Sequence, residues 1–257
     1  MIPMPLLVLA CVLLGLVFGS FANVLVYRMP RGESIAYPAS HCPSCGHALA
    51  WYENIPLVSW LVLKGHCRHC DVAIPVRYPL LELCLGITWG YLAWHFGWSM
   101  ELAMSLVLSQ ILWVLTWIDL ETGLLPNAIT FPGIAVGIIF GMISGHLQDS
   151  VIGAVAGYGV FWLVAKMFLM LTRREGMGYG DFKLLAMLGA FLGWQALPFL
   201  IFFASFCGAF IGSVYLLLTR KHVRAQIPFG PYLAASGMIW LLWGSDLLSW
   251  YLDVIRI

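Results

Sequence analysis

Long apolar segments alternate with short polar stretches along most of the chain. Eight such segments lie at about residues 5–26, 79–97, 101–118, 128–145, 151–171, 183–194, 196–218 and 231–250. A helix needs roughly 20 apolar residues to cross the hydrocarbon core of a bilayer. The segment at 183–194 is short by that measure, so we expect it to be tilted, partly re-entrant or buried among its neighbours. The pattern predicts an all-α polytopic membrane protein with about eight transmembrane helices.

Composition agrees with this fold class. The chain is 61% hydrophobic and 10% charged, with a mean hydropathy of +0.90, which excludes an ordinary soluble domain. The net charge of +1 gives no indication of nucleic-acid binding. The first segment lacks a basic region before it and is long enough to span, so we expect a retained helix rather than a cleaved signal peptide. We identify no internal repeat and no indication of oligomeric state.

Lysine and arginine are unevenly distributed between the two sides of this predicted topology. If the N-terminus lies outside, eleven of the thirteen lysine and arginine residues fall in loops on the inner side. An excess of these residues in loops marks the cytoplasmic side of a membrane protein. We therefore predict an outside N-terminus and a cytoplasmic loop between helices 1 and 2. The eleven residues are Arg28, Arg31, Lys64, Arg68, Arg77, Arg173, Arg174, Lys183, Arg220, Lys221 and Arg224.

The predicted cytoplasmic loop, residues 27–78, contains two CxxC pairs. Cys42 and Cys45 form the first, Cys67 and Cys70 form the second, and twenty-one residues separate them. This spacing is typical of a structural zinc site with four thiolate ligands. Two disulfides are the alternative, which a reducing cytoplasm disfavours. A small loop with little core of its own benefits from a metal that holds it together. We predict three parts: a first transmembrane helix at 1–26, a zinc-binding domain at 27–78, and a membrane domain at 79–257.

Two aspartates lie at the predicted inner ends of apolar segments. Asp119 ends the run at 102–118, and Asp181 follows Gly178-Tyr179-Gly180 directly before another helical run. Each alone could be an ordinary acid at a helix end, and Glu121 is an equally available neighbour of Asp119. Two carboxylates that share one proton around a water can instead hydrolyse an amide. Helix dipoles favour charge on Asp181 at a helix start and disfavour it on Asp119 at a helix end, so our hypothesis makes Asp181 the base.

Further short phrases follow one another along nearly the whole chain. They are Gly19–Val24, Tyr27–Pro30, Asn54–Pro56, Arg77–Glu82, Ile118–Glu121, Leu124–Pro126, Gly178–Leu185 and Ile227–Pro231. Together with the two CxxC pairs, this ordered set resembles the type IV prepilin leader peptidase/N-methyltransferase family, aspartic peptidases of the GxGD type. Two positions depart from the family pattern. Asn127 stands where an acidic residue is frequent, and Asp71 follows the last cysteine where glycine is common.

The resemblance implies an aspartic endopeptidase of the bacterial inner membrane. Its substrates would be prepilins and pseudopilins, whose basic leader is removed at the cytoplasmic membrane face. Asp119 and Asp181 fall on the family's catalytic aspartates, and Cys42, Cys45, Cys67 and Cys70 on its tetracysteine motif. The family also implies methylation of the new N-terminus with S-adenosylmethionine. We find no usual glycine-rich nucleotide loop, so the residues that bind the methyl donor are not identified.

Three other functions are consistent with parts of the sequence. A presenilin-type intramembrane protease shares the Gly-x-Gly-Asp phrase but does not account for the zinc loop. A proton-coupled transporter would use membrane acids, although Asp119 and Asp181 lie at helix ends and no inverted repeat is visible. A zinc-binding membrane scaffold accounts for the cysteines but leaves the two aspartates without a role.

Overall fold

The computed structural model describes residues 3–173, 177–219 and 228–255, and these are mostly helical. The α-helices are α1 (Met4–Arg28), α2 (Val58–Val62), α3 (Arg77–Phe96), α4 (Met100–Thr122), α5 (Asn127–Ile143), α6 (Leu147–Thr172), α7 (Tyr179–Leu192), α8 (Leu197–Thr219) and α9 (Gly230–Ile255). Short 3₁₀ turns lie at Met29–Arg31, Trp51–Asn54 and Trp194–Ala196. The described residues contain two isolated β-bridges, and no β-strand extends beyond these bridges.

The all-helical prediction is confirmed for the described residues, and each predicted apolar segment coincides with one α-helix. In the described parts of the chain, four spans are long and apolar enough to cross a membrane: Met4–Arg31, Met100–Thr122, Leu147–Thr172 and Trp194–Tyr215. The apolar helix α5 is shorter, and α7 has only 14 residues. The presence of more than four membrane-spanning helices therefore stays a prediction. Of the basic residues used for orientation, Arg174, Arg220, Lys221 and Arg224 lie outside the described residues.

The chain forms two compact units, Met1–Val114 and Leu115–Ile257. In the first unit, α1 packs closely along α3. A Cβ at Gly19 would lie 2.6 Å from the Cα of Glu82, so only glycine allows this approach of the two backbones. Asn23 strengthens the pairing because its side-chain amide donates to the carbonyl oxygen of Tyr78 at 3.1 Å.

In the second unit, α7 is enclosed by its neighbours. Every residue from Leu184 to Phe191 is buried, together with Asp181 and Phe182. Close backbone contacts make this enclosure possible: a Cβ at Gly153 of α6 would overlap the carbonyl oxygen of Gly189 on α7. A helix buried on all sides meets other helices rather than lipid, so its short length does not expose unpaired backbone groups to hydrocarbon. This explains the short sixth apolar segment.

We expect Gly153→Ala to destabilise the second unit strongly. The added methyl group collides with backbone rather than with a flexible side chain, and forcing extra atoms into a packed core costs about 1–3 kcal/mol or more. Thermal unfolding of purified protein in detergent measures the effect. Gly159→Ala in the same helix is the matched control, because a Cβ at Gly159 would meet nothing within 4 Å. Equal melting temperatures for both variants would contradict the close contact.

Candidate active site and metal site

Asp119 and Asp181 come together within the second unit. Asp119 lies in the last turn of α4, Asp181 lies in the first turn of α7, and both are buried. The two carboxyl groups are close enough to interact electrostatically. They are separated by more than sixty residues in sequence, and the interaction follows from the way α7 is enclosed. When two carboxyl groups lie close together away from water, repulsion between like charges disfavours ionisation of both. Such a pair can therefore hold one ionised and one protonated group.

The start of α9 supplies a third component of this site. The backbone amide of Gly230 donates to Oδ2 of Asp119 at 2.9 Å, and this bond is buried. The positive end of the α9 dipole therefore faces Asp119. Our hypothesis about the two roles considered only the helices that carry the aspartates. With α9 included, helix dipoles no longer distinguish which carboxyl group is ionised.

Leu125 lies between the two glycines that border the aspartates. A Cβ at Gly180 would lie 2.8 Å from the Cβ of Leu125, and a Cβ at Gly230 would lie 3.4 Å from its Cδ2. The connection between α4 and α5 thus contacts the segments next to both carboxyl groups. From sequence, Pro228–Pro231 is expected to shape a helix entry beside the active face, and α9 does begin at Gly230. The contacts of Leu125 and Gly230 with the segments around the aspartates are not expected from sequence. The signal that could have found them is the pair of prolines around Gly230.

Lys183 does not serve as the direct partner of Asp181. Its ammonium group donates to Oδ1 of Asn127 at 2.6 Å and lies 5.3 Å from the centre of the Phe131 ring. The contact joins α7 to the first turn of α5. Asn127, the residue that departs from the family pattern, therefore holds Lys183 through a neutral acceptor. Glu121, the alternative acid near Asp119, is exposed.

We expect Gly230→Ala to damage this site specifically. The added Cβ would lie 2.7 Å from Oδ2 of Asp119 and 3.2 Å from its carboxyl carbon, so the carboxyl group must move and its bond to the amide is lost. A 1 Å displacement of a reacting group can lower a rate about 10²-fold. Peptide cleavage rates measure the loss, with Gly159→Ala as the control. Full activity of Gly230→Ala would show that the position of Asp119 does not matter.

The four cysteines of the predicted metal site form one cluster in the first unit. Their sulfur atoms all lie within 4.8 Å of one another, and the sulfurs of Cys42 and Cys70 are 3.7 Å apart. Four thiolates bound to one zinc at about 2.3 Å would be separated by about 3.8 Å. All four cysteines are free, so they do not form the two disulfides that we considered. The residues present fit a tetrahedral zinc ion with no open position.

The two CxxC pairs form equivalent knuckles. The His41–Ala48 bridge closes the first, and the His66–Ala73 bridge closes the second. Both follow the pattern His-Cys-x-x-Cys-x-x-Ala, and the second begins 25 residues after the first. Our expectation of no internal repeat was therefore wrong. The repeat is short, and most positions between its shared residues differ, so it becomes clear only when the two hairpins are compared.

Each knuckle turns through a left-handed residue directly after its second cysteine. Gly46 has a φ of 70° in the first knuckle, and Asp71 has a φ of 56° in the second. Aspartate is among the few residues with a Cβ that visit this region readily. In both knuckles this residue's amide donates to the carbonyl oxygen of the first cysteine. Asp71 departs from the family pattern without changing the conformation of the turn.

The backbone around Cys42 also favours a thiolate. Burial by itself raises the pKa of Cys42, but hydrogen bonds from the amides of Cys45 and Ser44 and from the thiols of Cys67 and Cys45 outweigh it, and they lower the pKa to about 6. A thiolate is the form of cysteine that binds metal. The surroundings of Cys70 in the same cluster act in both directions: the hydrogen bond from the Val72 amide lowers its pKa, but burial and the other three thiols raise the pKa to about 12.

Two protein-family models match the chain. The bacterial Peptidase A24 N-terminal domain matches residues 13–96, and the Type IV leader peptidase family matches residues 106–213. No solved structure matches the chain.

Several curated relatives match over nearly their whole length, and three of them are named prepilin leader peptidase/N-methyltransferase. The protein from Stutzerimonas stutzeri is 41% identical, covering 97% of this chain and 95% of its own length. The relative from Pseudomonas aeruginosa is 43% identical and covers 96% of this chain and 93% of its own length. The relative from Aeromonas salmonicida is 44% identical and covers 95% of this chain and 93% of its own length. With two family models in the expected order and relatives this similar, the chain belongs to the type IV leader peptidase family.

Proposed function

We propose that this chain is a membrane aspartic endopeptidase that removes the basic leader from type IV prepilins and pseudopilins and then methylates the new N-terminus. The observation that carries the proposal is the buried pair of Asp119 and Asp181, which interact within one unit. The relatives' name supports both activities. Asp119 and Asp181 are the proposed catalytic residues, and we assign no nucleic-acid partner.

Cleavage follows from the chemistry of two carboxyl groups that share a proton. The ionised carboxylate takes a proton from a water molecule while the oxygen of that water attacks the carbonyl carbon of the leader's last residue. The protonated group donates to the carbonyl oxygen, which gives a neutral tetrahedral intermediate. The bond between carbon and nitrogen then breaks as the nitrogen receives a proton. The Gly230 amide holds Asp119 in place during these transfers.

Methylation requires S-adenosylmethionine, which supplies an electrophilic methyl group to the amine released by cleavage. The first unit has a cavity of about 250 Å³ beside the zinc knuckles, lined by Leu63, Val72, Ile74 and Glu53 among others. The side chain of Glu53 is 4% exposed. Apolar walls suit an adenine ring, and a carboxylate can accept from ribose hydroxyls. The lining also includes Cys42 and Cys67 of the proposed zinc site, and Oε2 of Glu53 already accepts from the Ala50 amide at 2.9 Å. An adenosyl group would therefore lie against the zinc knuckles, and the cavity is our candidate for the methyl-donor site.

The four cysteines Cys42, Cys45, Cys67 and Cys70 are proposed to hold a structural Zn²⁺. Four protein ligands close a tetrahedral site, which leaves no position for water or substrate. The ion would therefore stabilise the loop rather than take part in either reaction. The short β-bridges and turns around the cysteines leave the loop little regular structure of its own.

The proposed location is the bacterial inner membrane, with about eight spans, the N-terminus outside and the catalytic aspartates facing the cytoplasm. The distribution of lysine and arginine supports this orientation. The parts at 1–26, 27–78 and 79–257 keep the roles proposed from sequence. In this arrangement a prepilin keeps its apolar helix in lipid while its leader junction meets the aspartates at the membrane surface.

One experiment tests both activities. Purified protein in lipid is incubated with a prepilin, with and without S-adenosylmethionine, and the products are identified by mass spectrometry. We expect leader release in both samples and a single added methyl group only with the donor. Equal cleavage of a generic transmembrane peptide would favour the presenilin-type function. Solute uptake by proteoliposomes without any cleavage would favour the transporter, and neither activity would favour a zinc-binding scaffold.

A further inference from the structure

The segment Trp51–Val62 in the loop before α3 exposes an unusual number of apolar side chains. It comprises a 3₁₀ turn and the short helix α2. Trp51 is 80% exposed, Leu61 is 66% exposed and Val62 is 73% exposed, and Ile55 and Val58 are also exposed. So many exposed apolar side chains within twelve residues of a loop predicted to face water indicate an interaction site.

The opposite side of α2 is attached to the second zinc knuckle. The indole nitrogen of Trp60 donates to the carbonyl oxygen of Ile74 at 3.2 Å. The same ring also lies against Gly65, where an added Cβ would come within 2.9 Å of it. The segment is therefore held in a defined orientation, with Val58, Leu61 and Val62 pointing away from the knuckle.

A hydrogen bond fixes the depth of this segment along the membrane helices. The amide of Leu57 donates to Oε2 of Glu82 at 2.8 Å. Glu82 is buried against Gly19 of α1. The apolar run of α1 continues to Val26, so Gly19 lies about 10 Å inside its end at 1.5 Å per residue. Leu57 thus lies beside the apolar run of α1, near the level of Gly19, and not beyond the end of that run.

The backbone at Leu57 shows how firmly this position is held. Its φ is 60° and its ψ is −49°, a combination that a residue with a Cβ adopts rarely. The Glu82 carboxylate accepts a hydrogen bond from the Leu57 amide, which this turn would otherwise leave unpaired. Backbone without helical hydrogen bonds is tolerated at membrane depth only where protein groups satisfy it.

We propose that the segment Trp51–Val62 re-enters the membrane, with the apolar face of α2 in contact with lipid acyl chains. Phe21 of α1 and Leu83 of α3 are exposed near the level of Gly19 and Glu82, so other apolar side chains of this unit are available to lipid at the same depth. Lys64, exposed two residues after Val62, is placed to reach lipid phosphates. The loop is then not wholly water-exposed, and the zinc site is fixed close to the bilayer surface.

Photocrosslinking in proteoliposomes tests this contact. The full-length protein carries p-benzoylphenylalanine in place of Leu61 in vesicles of phosphatidylcholine and phosphatidylglycerol, and adducts are identified by mass spectrometry after irradiation. The control carries the same group in place of Glu33, which is exposed in the turn after α1. We expect lipid adducts at position 61 at least about fivefold above those at position 33. Crosslinks from position 61 to the protein itself, or equal yields at both positions, would overturn the proposal.

The anchoring bond is tested in the same system. Glu82→Gln retains an oxygen that can accept from the Leu57 amide, so lipid adducts at position 61 should persist. Glu82→Leu removes the acceptor, and the adducts should fall several-fold while zinc content stays unchanged. Full adduct yield in Glu82→Leu would show that this bond does not hold the segment at depth.

Discussion

Replacing Asp181 with asparagine is expected to lower prepilin cleavage by roughly 10²- to 10⁴-fold. Asparagine has the same shape as aspartate but cannot exchange a proton at neutral pH, so one half of the acid–base pair is lost. The side chain is buried in the first turn of α7, and the isosteric replacement leaves packing unchanged. Initial rates of leader release, followed by mass spectrometry, measure the loss.

Asp119→Asn should show a loss of similar size. Because the two groups act on one water and one carbonyl, the double variant should be little slower than either single variant. Such non-additivity distinguishes a cooperating pair from two acids with independent roles. Independent, multiplying losses would contradict a shared mechanism even if both single variants were slow.

Two controls separate lost chemistry from lost structure. Glu121→Gln changes an exposed acid two residues from Asp119 and should cleave at the normal rate. The Asp181→Asn protein should still methylate a pilin peptide that already lacks its leader, since we place the donor cavity in the other unit. Full cleavage by folded Asp119→Asn and Asp181→Asn proteins would exclude the proposed peptidase mechanism.

Removing one thiolate from the cysteine cluster should have the largest effect on stability. We expect Cys67→Ser to lose its zinc almost completely and to become sensitive to protease across the loop at 32–76. Structural zinc contributes about 10–16 kcal/mol to the folding of small zinc-finger peptides. Zinc per chain by elemental analysis and limited proteolysis of the reconstituted protein measure the two effects.

Cys207→Ala is the matched control for this prediction. Cys207 is a half-buried residue of α8, outside the cluster. Its replacement should leave one zinc per chain and an intact loop. If the wild-type protein contained no zinc, or if Cys67→Ser retained a full equivalent, the cluster would need another explanation.

Helix positions were predictable from this sequence because hydrocarbon leaves the backbone few alternatives. Without water, amide and carbonyl groups must bond within the segment, so each apolar run becomes one helix. The cysteine cluster was equally local, since each CxxC pair sets its own turn. The Asp71 turn shows the limit of such reasoning, because its left-handed conformation matches Gly46 despite the different residue.

Long-range contacts were not predictable in this way. The apolar pattern left the short segment at 183–194 tilted, partly re-entrant or buried among its neighbours. It could not select burial on all sides, because that burial depends on close backbone contact between Gly153 and Gly189. Likewise, the amide that holds Asp119 comes from Gly230, far along the chain. Such contacts depend on how several helices pack together, and no local residue pattern encodes that packing.

The sequence by itself determined the helices, the two CxxC knuckles and the two candidate carboxyl groups, since each depends on neighbouring residues and on the solvent around them. Only the tertiary structure decided that those carboxyl groups interact, that α9 contributes a donor, and that Leu57 reaches Glu82. The physical reason is distance along the chain. A contact between remote residues forms only when packing of the whole unit compensates the entropy lost in bringing them together.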